Sequence, residues 1–414
     1  MKSTLTRRIA YVEQFELLVG VDIGKKRNVA LKMDRQFRIK GRRTFGNDRE
    51  SYAELVEWLG IEGGSGEKQV LIGLEPTNDY WQWLVKYLSE VEIPYRLVNP
   101  FAVKQSRNAT QLDYGKDDDR DAITIAHVLR NGQYTETQLQ EGVYAELRNY
   151  SQAHYRLGQS LTKEKTILRQ YAERLFPEAS QICKDIDGKA MRAVLKNHAH
   201  PEEIVSHSWE EFLAEVRSDY DGSRLQVKKV RALYEVAPES IGVKDGGAIQ
   251  ELLRIQQERV ANLNQQLERI EARILERFHH LPYASNLLSI GLGKVTTALI
   301  VAEIGNPEHF RNGNQLVKLA GMVPTPKQSG QMNRQRTPMS HKGRPRLRTY
   351  LYFAALHLLR MDEAFQQRYQ HLCSRQEPPM KKMQAIGALM CRLLRIVWAL
   401  IRNQCDYQPA FVNA

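Results

Sequence analysis

Apolar and polar positions follow two different patterns along the chain. Up to about residue 99, short apolar, β-rich runs alternate with helical stretches, which is the pattern of an α/β domain. The predicted strands are residues 17–23, 28–33, 70–74 and 95–98, and the predicted helices include 51–59 and 81–88. Residues 118–130 are predicted to form the helix that closes this domain.

A heptad pattern replaces this alternation in the middle of the chain. Apolar residues recur at 3-4 spacing over residues 147–175 and again over 249–274, interrupted by Glu164 and Gln256. These two helices are expected to form an antiparallel arm, a coiled-coil contact between copies, or a plain helical hairpin. The segment 177–247 between them predicts a small irregular helical insertion. The expected organisation is an α/β domain (1–140), a helical coiled-coil arm (141–280) and a mostly helical domain (281–414).

Four acidic residues of the first domain stand where metal ligands are expected. Asp22 and Glu75 each follow an apolar strand, a position where an acid is costly unless it is paired or binds a metal. Asp118 and Asp121 are three residues apart at a helix start and so face the same way. Together the four could hold two Mg²⁺ ions for phosphoryl transfer. Taken singly, helix-start or turn positions explain Asp118, Asp121 and Asp22.

The net charge is concentrated in the last domain. The 414 residues carry 60 Lys and Arg against 48 Asp and Glu, a formal charge of +12, and residues 281–414 alone hold 18 basic and 6 acidic side chains. A polyanion is therefore an expected partner. Four widely separated cysteines argue against a disulfide framework or a zinc module. Without a long unbroken apolar run, we expect a cytoplasmic protein with neither signal peptide nor membrane span.

Two segments of the last domain are candidates for contact with nucleic acid. A predicted helix-hairpin-helix would let Gly291, Gly293 and Lys294 approach a phosphate, although a plain connecting turn has the same pattern. Residues 327–348 hold seven basic residues and no acid, and their glycines and prolines predict a loop that contacts a nucleic-acid backbone or is merely solvated. The basic residues are Lys327, Arg334, Arg336, Lys342, Arg344, Arg346 and Arg348.

Several hydroxyl groups near this basic segment are candidate nucleophiles. Ser329, beside Gly330, could attack a phosphodiester, but loop serines are common and the spacing alone does not select it. Tyr350 and Tyr352 are alternatives, although their helix is apolar and indicates packing. His341 could act as an acid or a base, or simply touch phosphate.

Short motifs occur in a characteristic order along the first and last domains. After Asp22 they are Glu75-Pro-Thr-Asn-Asp-Tyr80, Val98-Asn-Pro100, Lys116-Asp-Asp118-Asp-Arg-Asp121-Ala122, Ile290-Gly-Leu-Gly293, Leu319-Ala-Gly-Met-Val-Pro324, Gln328-Ser-Gly330 and Met339-Ser-His-Lys-Gly343. In combination they resemble the DEDD-type transposases of bacterial insertion sequences, a family described as bridge-RNA-guided serine recombinases. The likeness covers residues 17–130 and 281–400; the middle is similar only as a helical coiled coil.

The resemblance implies a RuvC-like (RNase H-like) first domain that binds Mg²⁺ and a last domain that supplies a serine. The implied metal-binding tetrad is Asp22, Glu75, Asp118 and Asp121. Ser329 would become linked covalently to cut DNA, often with serine and tetrad from different copies of a dimer or tetramer. The family also implies a structured noncoding bridge RNA that pairs with target and donor DNA. The expected function is that of a transposase that excises and integrates its own mobile element.

Three positions depart from the family's pattern. Asp117 replaces a usual Thr or Ser, so the tetrad register can shift to Asp117 or Asp119. Asn78 stands where Gly is common. Gln328 stands where many members have a second serine, which leaves Ser329 as the candidate in that loop.

Other functions remain open from the sequence. A RuvC-like structure-specific nuclease would use the same carboxylates to activate water, with Ser329 only touching phosphate. A non-catalytic nucleic-acid-binding scaffold would leave all four acids structural. A site-specific DNA invertase of the same family would share every feature above, because inversion and transposition differ only in where the DNA sites lie.

Overall fold

The polypeptide divides after residue 140 into two units, Met1–Gln140 and Glu141–Ala414, in the computed structural model. The structure describes residues 4–60, 70–76, 79–110, 118–135, 140–243, 246–324, 328–329, 332–333, 339–375 and 379–413. Within these residues, the first unit combines a sheet with helices, and the second is helical apart from one short hairpin.

The first unit is built on a mixed sheet, and its six described strands lie in the order β3-β2-β1-β4-β5-β6. Strands β1, β2 and β3 are antiparallel neighbours, β1, β4 and β5 run parallel, and β6 is antiparallel to β5. This α/β sheet is consistent with the expected RuvC-like domain. The strands are β1 (Leu17–Asp22), β2 (Asn28–Asp34), β3 (Ile39–Phe45), β4 (Val70–Leu74), β5 (Tyr95–Val98) and β6 (Tyr134–Thr135).

Helices cover both faces of this sheet. Apolar side chains of α1, α4 and α5 pack on one face, and those of α2 and α3 pack on the other. The strands β1, β2, β4 and β5 and the helices α2, α3 and α5 confirm the sequence pattern, whereas α1, α4, β3 and β6 were not foreseen. The helices are α1 (Thr4–Val12), α2 (Arg49–Leu59), α3 (Trp81–Glu90), α4 (Pro100–Thr110) and α5 (Asp118–Arg130).

Helix α5 packs on the sheet over two glycines. Gly20 of β1 and Gly73 of β4 are register partners. A Cβ added at Gly20 would lie 2.0 Å from the carbonyl oxygen of Ala122 and 2.7 Å from the amide nitrogen of Ala126; one added at Gly73 would meet the Leu129 side chain at 3.0 Å. The backbone of α5 therefore rests directly on β1, an approach that a side chain at residue 20 would prevent.

The second unit is assembled from helices of very different lengths. The described helices are α6 (Gly142–Leu175), α7 (Pro177–Ile182), α8 (Lys189–Asn197), α9 (Pro201–Val205), α10 (Trp209–Asp219), α11 (Val227–Val236), α12 (Gly247–His279), α13 (Ala284–Leu288), α14 (Lys294–Ile304), α15 (Gly313–Leu319), α16 (Pro345–Met361), α17 (Glu363–Ser374) and α18 (Lys382–Asn403). Strands β7 (Gln328–Ser329) and β8 (Met332–Asn333) form a two-stranded antiparallel hairpin.

The long helices α6 and α12 lie antiparallel to each other within one chain. Near one end, Arg277 Nε forms an ion pair with Glu146 Oε2 at 2.5 Å. Near the other, Nε2 of the buried Gln256 donates to Glu164 Oε2 at 2.6 Å. The two residues that interrupt the heptads are thus partners across the pair, and a partly buried polar pair at heptad positions favours one register of the two helices. A coiled-coil contact between copies stays a prediction.

The insertion between these helices has its own apolar core. Helices α7 to α11 contribute buried side chains such as Phe212, Val216 and Leu233, which pack with Leu175 of α6 and Leu253 of α12. The segment expected to be irregular is therefore a small helical cluster seated on one end of the α6–α12 pair.

The remaining helices form the core of the second unit around α14. All eight residues from Thr297 to Ile304 are buried, so this helix is enclosed by its neighbours. Helix α18 is the single described helix long and apolar enough to cross a membrane, and 61% of its apolar window is buried in the unit. We expected no membrane span, because the sequence contains no unbroken apolar run of about 18 residues. A mostly buried core helix meets the same criteria of length and composition as a membrane-spanning one.

The glycine contact under α5 can be tested by substitution. We expect Gly20→Ala to destabilise the first unit by about 3 kcal/mol, because the new methyl group meets backbone atoms that move only if α5 moves. Gly73→Ala is the matched control, since the Leu129 side chain can rotate away, and about 1 kcal/mol is expected. Urea unfolding measures both variants; equal costs would contradict the close approach of α5 to β1.

Candidate active site and nucleic-acid interface

Two neighbouring strands end in acidic residues at the same edge of the sheet. Asp22 is the last residue of β1, and Glu75 follows β4 directly. The strands are parallel, with Val21 paired to Leu74, so the two acids occupy the next row. Because paired strands are about 4.8 Å apart, the backbones of Asp22 and Glu75 lie side by side.

Helix α5 brings a third acidic residue to this edge. Residues two apart on a strand share a face, so Asp22 lies on the face where Gly20 contacts α5. Asp121 immediately precedes Ala122, whose carbonyl oxygen makes that contact. The sheet register and the glycine contact together therefore bring Asp121 to the two strand-end acids.

The pKa of Glu75 is influenced by its burial and by Arg107, Asp22 and Asp121, which lie near it. Burial is the largest influence and raises the pKa of Glu75; nearby Arg107 lowers it, and the carboxylates of Asp22 and Asp121 raise it. Arg107, on α4, also forms an ion pair with Asp121, with Nε 2.9 Å from Oδ1. The carboxyl groups of Glu75, Asp22 and Asp121 are thus close enough to influence one another, with Arg107 beside them.

The fourth tetrad position depends on the start of α5. Asp119 forms an ion pair with Arg42 of β3, with Nε 2.5 Å from Oδ1. On an α-helix, residues 119 and 121 lie about 200° apart, whereas residues 118 and 121 lie about 60° apart. Position 118 therefore shares the face of Asp121. Asp117 and the side chain of Asp118 lie outside the described residues, as do Thr77 and Asn78 of the motif after Glu75.

The donor set suits a hard divalent cation. Mg²⁺ prefers carboxylate oxygen and usually binds one or two protein carboxylates together with water or phosphate. Within the described part of the chain, no group of three His, Cys, Asp or Glu side chains is arranged to hold a metal ion. Asp22, Glu75 and Asp121 therefore fit such an ion by the chemistry of their carboxylates, and a metal site formed by them stays a prediction.

The raised pKa of Glu75 gives a test of this acidic cluster. An acid whose pKa is higher folded than unfolded costs stability as pH rises through that interval. In chelator at pH 7, Glu75→Gln should therefore raise the Tm of the first unit, by on the order of 1–3 °C. The gain should vanish below about pH 4, where both states carry protonated Glu75. Calorimetry measures this; Glu57→Gln, an exposed site on α2, is the control, and a gain that persists at low pH would contradict the account.

Ser329 lies at the end of β7, opposite Met332 of β8. The sequence predicted a loop over 327–348, whereas the structure has a short hairpin near its start and begins α16 at Pro345. Pro at the first helical position lacks only an N–H that would be unpaired there. The side chain of Ser329 and the residues Lys327, Arg334 and Arg336 lie outside the described residues.

The base of the segment that carries Ser329 is closed by two glycines in contact. Gly321 has φ of +70°, and a Cβ added at Gly343 would lie 2.3 Å from the Gly321 nitrogen. The N–H of Ser340 donates to the Val323 carbonyl at 2.9 Å. Residues 321–323, before the segment, are therefore held beside residues 340–343, after it.

A buried acid at the end of α14 binds several arginines. Glu303 is 0% exposed. Its Oε1 accepts from Arg346 Nε at 2.8 Å and from Ser151 Oγ at 3.0 Å, and its Oε2 lies 3.9 Å from Arg148 Nη1. Arg344 donates to the Glu303 carbonyl, and burial lowers the pKa of its guanidinium. Glu303 was not predicted as a structural or functional residue, although it stands out in the sequence as an acid within an apolar stretch.

The other proposed nucleic-acid contacts differ in how they are placed. Arg348 donates to the Ala320 carbonyl at 2.8 Å, so with Arg344 and Arg346 it holds α16 against protein groups. Gly291, Gly293 and Lys294 are exposed at the start of α14, and Gly291 has φ of +80° with no atom within 4 Å of an added Cβ. Lys342 is also exposed. The turn before α14 is therefore open, and a helix-hairpin-helix stays a prediction.

The alternative tyrosine nucleophiles lie on α16. Tyr350 is 8% exposed, and burial raises the pKa of its hydroxyl to about 12. Tyr352 packs against the same apolar core. Both positions favour packing over attack on DNA.

The buried acid can be tested by separating its charge from its packing. Glu303→Gln should destabilise the second unit by about 3–5 kcal/mol, because it leaves arginines without their buried counter-charge. Adding Arg346→Met should recover part of this loss, since replacing a buried ion pair costs less than breaking it. Urea unfolding measures the series, with the exposed Glu308→Gln as control. Additive losses in the double variant would contradict a direct ion pair between Glu303 and Arg346.

Two family models match the chain, one on each side of its middle. The first, described as a transposase of the DEDD IS110 type, matches residues 19–177, and the second, described as the IS116/IS110/IS902 transposase family, matches residues 284–370. Together they cover more than half of the chain and include every tetrad position and Ser329. The chain belongs to the IS116/IS110/IS902 family of transposases, the DEDD type found in insertion sequences.

Individual relatives share shorter stretches. An uncharacterized 42 kDa protein of insertion element IS900 from Mycobacterium paratuberculosis is 29% identical over 157 residues, 37% of this chain and 38% of that protein. The putative transposase y4rJ of Sinorhizobium fredii is 33% identical over 29% of this chain and 31% of its own length. A probable family 20 transposase of Pseudomonas aeruginosa is 27% identical over 38% and 47%. The matches thus span less than half the length of these relatives.

Proposed function

We propose that this protein is a DNA transposase that excises and integrates its own mobile element. The observation that carries the proposal is the convergence of Asp22, Glu75 and Asp121 at one edge of the sheet, in a chain that belongs to a transposase family. The positive surplus of residues 281–414 supports a nucleic-acid substrate. The protein would act in the bacterial cytoplasm, on the DNA of the nucleoid.

The carboxylates are proposed to hold two Mg²⁺ ions, with Asp118 as the fourth member. Such a pair of ions stabilises the attacking and leaving oxygens of phosphoryl transfer. The helical phase of α5 and the ion pair of Asp119 with Arg42 support Asp118 over Asp119. Arg107 holds Asp121 by its ion pair, so that the carboxylate is oriented before an ion binds.

Ser329 is proposed as the nucleophile. Its Oγ forms an ester bond with the phosphorus as the bond from phosphorus to a sugar oxygen breaks. The serine hydroxyl loses its proton, and the released sugar oxygen takes one up. The ester keeps the energy of the broken bond, so rejoining needs no ATP. Support comes from the family resemblance and from the positions of the alternative hydroxyls: Tyr350 is buried, and Tyr352 packs against the apolar core.

The partners of the reaction are proposed from the family. A structured bridge RNA would pair with target and donor DNA, and two or four copies of the chain would assemble, with the serine of one copy acting beside the carboxylates of another. The α6–α12 pair is the element proposed to hold copies together. An RNA that copurifies with the protein and pairs with both the element ends and the target would support RNA guidance; recombination by RNA-free protein would contradict it.

A structure-specific nuclease is the second candidate function. The described carboxylates Asp22, Glu75 and Asp121 all belong to the unit Met1–Gln140. That unit alone therefore carries acids that could activate water without Ser329. Hydrolysed DNA ends without a protein adduct would favour this function.

Trapping of a covalent intermediate separates the two functions. Wild-type protein with DNA of the element ends and Mg²⁺ should give a protein–DNA adduct after denaturation. Ser329→Ala should lower its yield by at least about 10³-fold, because the nucleophile is lost. Ser160→Ala, an exposed serine of α6, is the control and should leave it unchanged. Recombination by Ser329→Ala would show that another group attacks DNA.

A further inference from the structure

The loop that joins β1 to β2 carries three consecutive basic residues, which begin three positions after Asp22. Asp22 ends β1 and Asn28 begins β2, and between them Lys25, Lys26 and Arg27 are all exposed. Lys25 is three residues from Asp22, so their Cα atoms are at most about 11 Å apart. We call Lys25, Lys26 and Arg27 the basic triplet; it lies at the acidic edge of the sheet.

Two side-chain amides hold the backbone of this loop. Asn28 is 0% exposed; its Oδ1 accepts from the Gly24 N–H at 3.1 Å, and its Nδ2 donates to the Gly46 carbonyl at 3.1 Å and to Asn47 Oδ1 at 2.8 Å. Nδ2 of Asn47 donates to the carbonyls of Gly24 at 2.9 Å and Lys25 at 3.0 Å. The loop is thus tied to the β3–α2 connection from both sides.

The network leaves no group of the Asn47 amide unused. Its Oδ1 also accepts from the hydroxyl of Tyr52 at 3.1 Å. Tyr52 is buried, which raises the pKa of its hydroxyl to about 12, so it remains a donor at neutral pH. A Cβ added at Gly24 would lie 2.3 Å from the Arg27 carbonyl oxygen, so the turn is also tight. A fully satisfied polar network of this kind rigidifies the segment that it holds.

The triplet itself is directed to solvent rather than to the protein. Among the residues that the structure describes, no acid forms an ion pair with it, and Arg27 donates to the Thr44 hydroxyl at 3.3 Å. The three positive charges are thus available to an external anion. Because the backbone is already fixed, binding such an anion orders fewer degrees of freedom, which lowers the entropic cost.

We propose that the basic triplet binds the phosphodiester backbone of the DNA strand that enters the carboxylate site. Adjacent phosphates would contact the triplet while the next phosphate lies at Asp22 and Glu75. The loop thereby offsets the repulsion between the acidic cluster and DNA. This inference rests on the proposed function, to which it adds the surface that positions the strand.

The test compares the salt dependence of DNA binding by full-length variants. Replacing Lys25, Lys26 and Arg27 with Gln should make the slope of log Kd against log salt shallower by about 2 to 3 and weaken binding about tenfold or more at ~0.1 M salt. The control replaces Arg224, Lys228 and Lys229, exposed in the second unit, and removes the same charge. Its slope should stay within about half a unit of wild type.

A second variant tests whether the fixed backbone matters. Asn47→Ala keeps all three charges and removes two bonds to the loop, so binding should weaken several-fold with an unchanged slope. Unchanged affinity of Asn47→Ala would refute the role of the fixed loop. The proposal would be overturned if the slope fell equally in the basic-triplet variant and in the triple control variant. It would also be overturned if the slope of the basic-triplet variant did not change. Loss seen only with an RNA duplex probe would overturn the assignment to DNA.

The outcome is separable from that of the proposed function. Binding is measured without cleavage, so a missing serine adduct together with a shallower slope would refute the nucleophile and leave this inference intact. A normal adduct together with an unchanged slope would support Ser329 as the nucleophile and refute the role of the basic triplet.

Discussion

The close contact of α5 with β1 is the constraint on which the first unit depends. Gly20 and Gly73 face each other across the parallel ladder, and the absence of a Cβ at Gly20 lets the α5 backbone reach the sheet. This contact also determines where three acids lie. Asp22 and Glu75 each follow their strand's glycine by two residues, so they share its face of the sheet. Asp121 directly precedes Ala122, whose carbonyl oxygen lies beside Gly20. Acids from three separate chain segments are thus brought to one edge of the sheet by the close approach of α5 at this glycine pair.

Charge is distributed differently in the two units. In the first, acids gather beside Arg107, and burial, together with the neighbouring carboxylates of Asp22 and Asp121, raises the pKa of Glu75. In the second, arginines gather around the buried acid Glu303. Part of the positive surplus of residues 281–414 is therefore used to join α16 to α14. Among the other described basic residues of this domain, Lys294 and Lys342 are exposed, so net charge alone overstates the surface that is open to nucleic acid.

Strongly patterned segments could be predicted from sequence, and tertiary contacts could not. The apolar strands β1, β2, β4 and β5 stand out because both faces of the sheet are covered. Strand β3 was not predicted, because Lys40, Arg42 and Arg43 give this edge strand a polar sequence without an apolar run. The acids Asp22, Glu75 and Asp121 were predicted as site residues from their positions at strand and helix ends, and that role stays a prediction. Arg107 was not predicted, because its contact with Asp121 arises only when α4 packs beside α5.

The same reasoning explains the middle of the chain. Glu164 and Gln256 are polar residues that interrupt two heptad patterns. In the structure they form a hydrogen bond with each other across the two helices. Neither helix alone contains that information. Insertion residues 177–247 gave no regular pattern because their helices are short and share one small core.

We propose that Asp22, Glu75 and Asp121 form one cation-binding site in a DNA-cleaving enzyme. Anomalous diffraction from a crystal of the protein soaked in Mn²⁺ tests this most directly. We expect a peak within about 2.5 Å of carboxylate oxygens of Asp22 and Glu75, and we expect it to be lost in Glu75→Gln. Absence of a peak at these residues in wild-type crystals, with Mn²⁺ bound elsewhere, would contradict it.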